Sequence, residues 1–276
     1  MKKYLSIFAF ALLLSSCTDT VVVKNVPDSS VTAPPVSGFF KKRVLIEDYT
    51  GTWCGNCPRV AYAIEQAMDQ SDKVVPVAIH NGIDPYNFLG IGPLKDLISP
   101  NDALQLPQSR LNRTTTWTYP EPVFLQDAIN LTGNNCGLGL AMNSTVANGT
   151  INLNVSMKFA QDYANIKLVV LVLESQLIHD QTNYTNYFGP GTTPTFANYV
   201  HNHVLRVPLT DIMGDAINGS TTLGQTITKN YTLAIPSEVS NAANMSFVAF
   251  IVDQDNGAIN ARAALPNENQ VFEVNP

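Results

Sequence analysis

The stretch Val44-Leu-Ile-Glu-Asp-Tyr-Thr-Gly-Thr-Trp-Cys-Gly-Asn-Cys-Pro58 runs from a β-branched apolar segment through a short turn into a C-x-x-C pair, Cys54 and Cys57. Two cysteines at that spacing, placed where a strand meets a helix, can close a small disulfide. The helix N-terminus there lowers the pKa of the first thiol. The thiolate is the form that attacks disulfides, so the pair points to thiol chemistry. A zinc half-site is the other use of C-x-x-C. No second C-x-x-C follows, and the remaining two of the four cysteines, Cys17 and Cys136, are single and distant.

Outward from the pair, the pattern alternates strand and helix. Lys41 to Tyr49 reads as a strand, and Pro58 to Met68 as a helix whose Val60, Ala61, Ile64, Ala67 and Met68 share one buried face. Val74 to His80 is an apolar run suited to a central parallel strand, which makes a right-handed βαβ unit. Sites in such sheets form at the carboxyl ends of strands, so His80 falls near the mouth that holds Cys54. There it either tunes the thiolate or bonds a backbone group. Asn81 to Pro93 is a Gly/Pro-rich loop, Leu94 to Leu104 a short helix interrupted at Pro100, and Glu121 to Leu131 a helix that stops at Gly133.

With its strand, Trp53-Cys-Gly-Asn-Cys-Pro58 and amphipathic helix, this region resembles the active-site region of the thioredoxin superfamily. The resemblance implies that Cys54 is an exposed nucleophile, Cys57 the buried resolving thiol and Trp53 the exposed aromatic neighbour. Asp48 falls where that superfamily keeps a buried acid assisting proton transfer. Read from the residues alone, Glu47-Asp48 is equally a solvated strand end, because unpartnered buried carboxylates are costly. The resemblance also implies a cis proline before an edge strand, facing the pair. Pro107 is the candidate, Pro120 its rival, and an ordinary trans proline the alternative.

Beyond Gly137 the apolar period drops to two. Leu138, Leu140 and Met142 precede Ile151, Leu153, Val155, Met157 and Phe159, with Asn148-Gly149 as a hairpin turn between them. Further runs at Ile166–Glu174, His203–Leu209, Thr226–Ile235, Met245–Val252 and Ala258–Ala264 complete the pattern of an immunoglobulin-like β-sandwich. The polar, aromatic insert Gln181 to Tyr199 reads as a long loop that binds something or covers an edge. His201 and His203 are placed on one face of a strand, a spacing for two metal ligands or for a polar outer face, with no third ligand nearby in sequence. Cys136 is left without a partner, as a buried inert thiol or a point of intermolecular pairing.

The N-terminus has a basic start, an apolar core too short to span a bilayer, and Leu14-Ser-Ser-Cys17. The last four residues resemble the lipobox of bacterial lipoproteins, which implies that residues 1–16 are a signal peptide and that Cys17 carries the lipid. More than one acyl chain gives stable anchoring. Thr18 to Gly38 reads as an extended tether. Removing residues 1–16 takes Lys2 and Lys3 and leaves 14 basic against 22 acidic side chains, a formal charge of −8. Such a chain is a poor general binder of nucleic acid or anionic lipid.

The lipobox, the tether, Glu47-Asp-Tyr-Thr-Gly51 with the C-x-x-C, Pro107 with Asn112-Arg113, and Tyr199-x-His-Asn-His-x-x-Arg206 together resemble the outer membrane protein twenty-eight family of Bacteroidota lipoproteins. The expected architecture is an α/β thioredoxin-like domain over residues 39–135 followed by an all-β immunoglobulin-like sandwich over 136–276, behind the signal peptide (1–16) and the lipidated tether (17–38). Two functions compete. One is a lipid-anchored thiol-disulfide oxidoreductase of the outer membrane, acting on client proteins through Cys54 and Cys57 with no cofactor beyond that disulfide. The other is a surface adhesin or scaffold in which the disulfide is structural, as exported compartments favour.

Overall fold

A computed structural model describes residues 39–133, 135–188 and 194–275. The signal sequence, Cys17 and the tether lie outside the described residues. In the first half, β1 (Phe40–Lys41), β2 (Val44–Thr50), β3 (Val74–His80), β4 (Gln108–Leu111) and β5 (Thr115–Thr116) alternate with α1 (Pro58–Gln70), α2 (Gly92–Ile98) and α3 (Leu125–Asn130). Next come β6 (Asn135–Cys136), β7 (Leu138–Ala147), β8 (Thr150–Phe159), β9 (Lys167–Glu174), β10 (Leu177–Thr182) and β11 (Thr195–His201). The last are β12 (Val204–Pro208), β13 (Asp215–Ala216), β14 (Thr226–Ala234), β15 (Met245–Val252) and β16 (Ala258–Ala264).

The expected pairing of an α/β thioredoxin-like domain with a separate immunoglobulin-like sandwich is overturned. The chain is mostly β, and strands from both halves form one nine-stranded sheet in the order β16-β15-β9-β12-β3-β2-β4-β5, with β13 also on β9. The joint is a parallel pairing of β12 with β3, at Val204 and Ala78. The predicted strands of the second half do form, but only β7, β8 and β14 make a sheet of their own. Alternation specifies which residues share a face of a strand; it does not specify the strand's neighbours.

The core follows the same division. Strand β9 is Lys-Leu-Val-Val-Leu-Val-Leu-Glu, buried on both faces. Leu168, Val170 and Val172 pack under the three-stranded sheet with Leu153, Val155 and Phe247. Val169, Leu171 and Leu173 face the other way and join Leu45 of β2, Val75 of β3 and Phe250 of β15 in one continuous cluster. Helices α1 and α3 cover the remaining face of β2 and β3 through Val60, Ala63, Ile64, Ala67 and Ala128 around Trp117. Helix α1 keeps the face read from its spacing, except that Ala61 and Met68 are not buried. Of the insert read as a long loop, residues 183–188 are loop and turn as expected, while its ends, residues 181–182 and 195–199, belong to the antiparallel hairpin β10–β11, outside the nine-stranded sheet.

Candidate functional site

Strands β2 and β3 run in parallel with Thr50 opposite His80, so both end at one edge of the sheet. Beyond Thr50 the chain turns through Gly51 and Thr52 into Trp53, and Cys54 and Cys57 are joined by a disulfide with Cα atoms 5.4 Å apart. The Cys57 amide donates to the Cys54 carbonyl at 3.2 Å, and Cys57 caps α1 with Pro58 in its first turn. Proline is pre-shaped for that position, so the C-x-x-C turn leads straight into the helix.

The turn is tied to β3 by Asp84. Its Oδ2 accepts the Thr52 amide at 2.6 Å and lies 2.9 Å from His80 Nδ1, while Oδ1 accepts the Tyr86 amide at 2.7 Å. Burial opposes the charge on Asp84, but His80 and these amides outweigh it and hold the carboxyl at about 2. His80 is therefore bonded to neither the disulfide nor a backbone group. It orients the acid that holds the turn, a role invisible until the loop folds back on its strand.

Asp48, on β2, is 3 % exposed, and its Oδ1 has no hydrogen-bond partner among the described residues. Burial, reinforced by Glu121 and only partly offset by Arg59, raises its pKa well above the ordinary carboxylate value. The solvated strand end is thus ruled out for both acids. Glu47 is fully buried and paired with Arg113 at 2.9 Å. A cavity of about 60 Å³ brings Asp48 together with Cys57, Glu65, His80, Tyr199 and His201. That volume suffices for a few ordered waters.

The other predicted residues fall around this centre. Trp53 is 48 % exposed, its indole N–H donating to the Asn81 carbonyl at 2.8 Å. The Leu106–Pro107 and Tyr119–Pro120 bonds are both cis. Tyr49 pairs with Gln108 on β4, which sets Pro107 beside the end of β2. Cys54 is covered, at 4 % exposed, where an exposed nucleophile was expected. His201 and His203 do not share a strand. Strand β11 ends at His201, and His203 sits in the turn before β12 with φ +58°. Both still border the cavity. Burial and the neighbouring His80 lower His201 to about 4, and burial lowers His203 to about 4. Cys136 is a buried free thiol whose S–H donates to the Ile259 carbonyl at 3.6 Å.

What covers Cys54 is the β10–β11 hairpin, which the sequence marked only as a polar, aromatic insert. The Thr182 amide donates to the Thr52 carbonyl at 2.8 Å and the Tyr184 amide to the Gly55 carbonyl at 2.7 Å. Gln181 Nε2 donates to the carbonyls of Gly51 (3.2 Å) and Cys54 (2.9 Å). The Tyr184 ring lies on Gly55 so closely that an added Cβ would sit 2.2 Å from its Cδ2. Alternate amides of the hairpin thus bond carbonyls of the turn, as an extended peptide laid along it would.

Among the described residues no helix is long and apolar enough to cross a membrane. In a search of curated proteins no match was found. Two solved structures from Porphyromonas gingivalis are similar. HBP35 aligns with 87 % of this chain and 82 % of its own at a TM-score of 0.62 and 19 % identity, a likeness of fold. A domain of the outer membrane lipoprotein Omp28 aligns with 49 % of this chain and 92 % of its own, at a TM-score of 0.31 and 18 % identity. A family model described as Outer membrane protein Omp28 matches residues 96–270, more than half of the chain and wholly beyond the C-x-x-C. The chain therefore belongs to the Omp28 family of outer membrane proteins.

Proposed function

We propose that this outer membrane protein is held by lipid on Cys17 and exchanges disulfides with client proteins through Cys54 and Cys57. The observation that carries the reading is the Asp48 carboxyl, whose Oδ1 is buried without a hydrogen-bond partner among the described residues, bordering the same cavity as Cys57. Burying a carboxyl without a partner costs several kcal/mol on the scale of polar-group transfer. A disulfide that only braces the chain has no use for that cost, whereas a resolving cysteine needs a nearby group to take and return its proton.

In the reduced pair, the Cys54 thiolate attacks one sulfur of a client disulfide, and the client's other sulfur leaves as a thiolate. The Cys57 thiol passes its proton to ionised Asp48, and the resulting thiolate attacks Cys54 Sγ. The Cys54–Cys57 bond closes and the client's second sulfur departs, so two electrons have moved to the client. Run backward, protonated Asp48 returns the proton to Cys57, and a dithiol restores the reduced pair. Trp53, beside the pair and half exposed, offers an apolar surface to the client. Pro107 flanks the same edge and supports the client backbone. No cofactor beyond the cysteine pair enters these steps.

The burial of both cysteines favours a second reading, a structural disulfide within a scaffold or adhesin. Measuring the reduction potential of the mature chain carrying Cys17→Ser, by Trp53 fluorescence in thiol buffers, separates the two. A potential between about −120 and −270 mV, with turnover abolished by Cys54→Ser, supports exchange. Resistance to reduction below about −300 mV, with no exchange, leaves the structural reading.

A further inference from the structure

We propose that Gln181–Thr185 is a built-in lid, an internal strand that occupies the place of an extended client backbone over Cys54 and lifts to admit one. The inference rests on the exchange reading above, because displacement at sulfur requires a client sulfur to reach Cys54, which is 4 % exposed.

Three features describe a seated but separable element. Its hold on the redox turn is peptide-like: the amides of Thr182 and Tyr184, two residues apart, donate to the carbonyls of Thr52 and Gly55. A client strand laid along the turn would use those same acceptors. The side chains of the lid add to this with the Gln181 amide on Gly51 and Cys54 and the Tyr184 ring on Gly55. Tyr184 is itself 67 % exposed, so the ring shields the turn without being locked in a core.

The hairpin is also hinged. Strands β10 and β11 pair with each other and with no strand of the nine-stranded sheet. One leg leaves β9 through Gln176 and the other enters β12 through His203, non-glycine residues at φ +60° and +58°. Asn202 Oδ1 accepts the Gln176 amide at 3.1 Å, and Ser175 Oγ accepts the His203 amide at 3.0 Å. The two legs are thereby clasped at their base. Few residues absorb the backbone change of a hinge, and paired left-handed positions at the foot of one hairpin meet that description.

A second hold lies further out, where Tyr62 of α1 meets Tyr187 and Phe188 with ring centroids 5.4 Å away in each case. This aromatic contact is separate from that of Tyr184 on Gly55, and the His201 ring of β11 adds another on His80 and Tyr86 (5.3 and 5.5 Å), so the lid opens fully only when these holds release together.

The test uses the mature chain with Cys17→Ser and follows reduction of Cys54–Cys57 by a phosphine, read by alkylation and mass. Tyr184→Ala and Gln181→Ala are each expected to speed reduction at least tenfold. Unchanged rates in both overturn the lid. In the wild type, which needs no variant to fold, the amides of Thr182 and Tyr184 are expected to exchange hydrogen well ahead of those of β9 and β15. Exchange of all of them at one rate overturns the lid as well. Failure of the exchange reading looks different: the variants open the pair to phosphine, yet no form transfers electrons to a client disulfide. If the wild type instead turns over as fast as both variants, the exchange reading stands and the lid falls.

Discussion

Arg113 and Glu47 form an ion pair 2.9 Å long with neither side chain more than 1 % exposed, and Arg113 carries it across the seam between the halves of the chain. Arg113 also donates to the Ile212 carbonyl at 3.0 Å and lies 4.6 Å over the Phe250 ring, while Tyr49 donates to Glu47 at 3.1 Å. Removing one member of a buried pair leaves the other charge uncompensated, at about 3–5 kcal/mol. Arg113→Met is therefore expected to lower the unfolding free energy by about that much, measured by urea titration. The double variant Arg113→Met/Glu47→Gln recovers part of the loss. A loss below about 1 kcal/mol in the single variant contradicts the pair's burial.

Asp48 gives a pH-dependent prediction of its own. Its pKa is raised in the folded protein, by burial first and Glu121 next, so folding favours the protonated acid. The stability this gives is whole below the ordinary aspartate value, near 3.8, and is lost as pH rises toward the folded pKa. Asp48→Asn removes the loss. The variant is expected to unfold at a higher urea concentration than the wild type, by a margin that widens from pH 4 upward. Resolution of a mixed disulfide at Cys54 by Cys57 is expected to slow in the same variant. A margin that stays flat with pH shows that Asp48 is ionised as in water.

His201 and His203 act in the opposite direction. Each is lowered from 6.5 to about 4, so the folded state resists protonation and the unfolded chain takes up more protons between those values. Stability is intact above pH 6.5 and falls as pH drops toward 4, by up to about 1.4 kcal/mol per pH unit for each histidine. His201→Gln with His203→Asn is expected to flatten the acid limb of the stability profile and leave neutral pH little changed. An identical slope in wild type and variant would falsify the neutral, buried state of the two imidazoles.

Gly55 is where the lid touches the redox turn. A methyl group there meets the Tyr184 ring at 2.2 Å, so Gly55→Ala must push the ring aside. Because that ring is largely exposed, the stability loss is expected to stay below about 1 kcal/mol, small for an overpacked site. The disulfide should nevertheless be reduced faster. In a Tyr184→Ala background, Gly55→Ala should add nothing, since the two changes act on one contact. Additive effects on the reduction rate sink this account.

Cys136 pairs with no other cysteine and is buried, and burial raises its thiol pKa above the ordinary value. Only the thiolate reacts readily with disulfide reagents. In the oxidised mature chain carrying Cys17→Ser, Cys136 is expected to resist an aromatic disulfide reagent until denaturant is added. Prompt labelling without denaturant contradicts the buried position.

Much of the site was legible before any fold, because its signals are local. Strand β2, the turn, the C-x-x-C and α1 are contiguous in sequence, and helix start, apolar spacing and proline placement specify them together. The strands of the second half were legible from alternation for the same reason, down to the Asn148-Gly149 turn. Sequence separation hid the remainder. Gln181 lies 127 residues from Cys54, whose carbonyl it bonds, and its neighbours mark only an insert that binds something or covers an edge, not what it covers. Asp84 follows His80 by four residues but carries no local signal, because their contact exists only once the loop folds back on β3.

By itself, the sequence determined the elements and their chemistry: an apolar strand feeding two cysteines into a helix, buried faces set by periods of two and 3.6, and an acid six residues ahead of the first cysteine. These follow from backbone geometry and side-chain spacing within one segment. The tertiary structure alone decided the partners: that β12 joins β3 and makes one sheet of two expected domains, that Asp48 and Cys57 line one pocket, and that a distant hairpin lies over Cys54. Strand edges and carbonyls accept any partner that reaches them. Which one arrives depends on the burial of the whole core, a quantity no single segment carries.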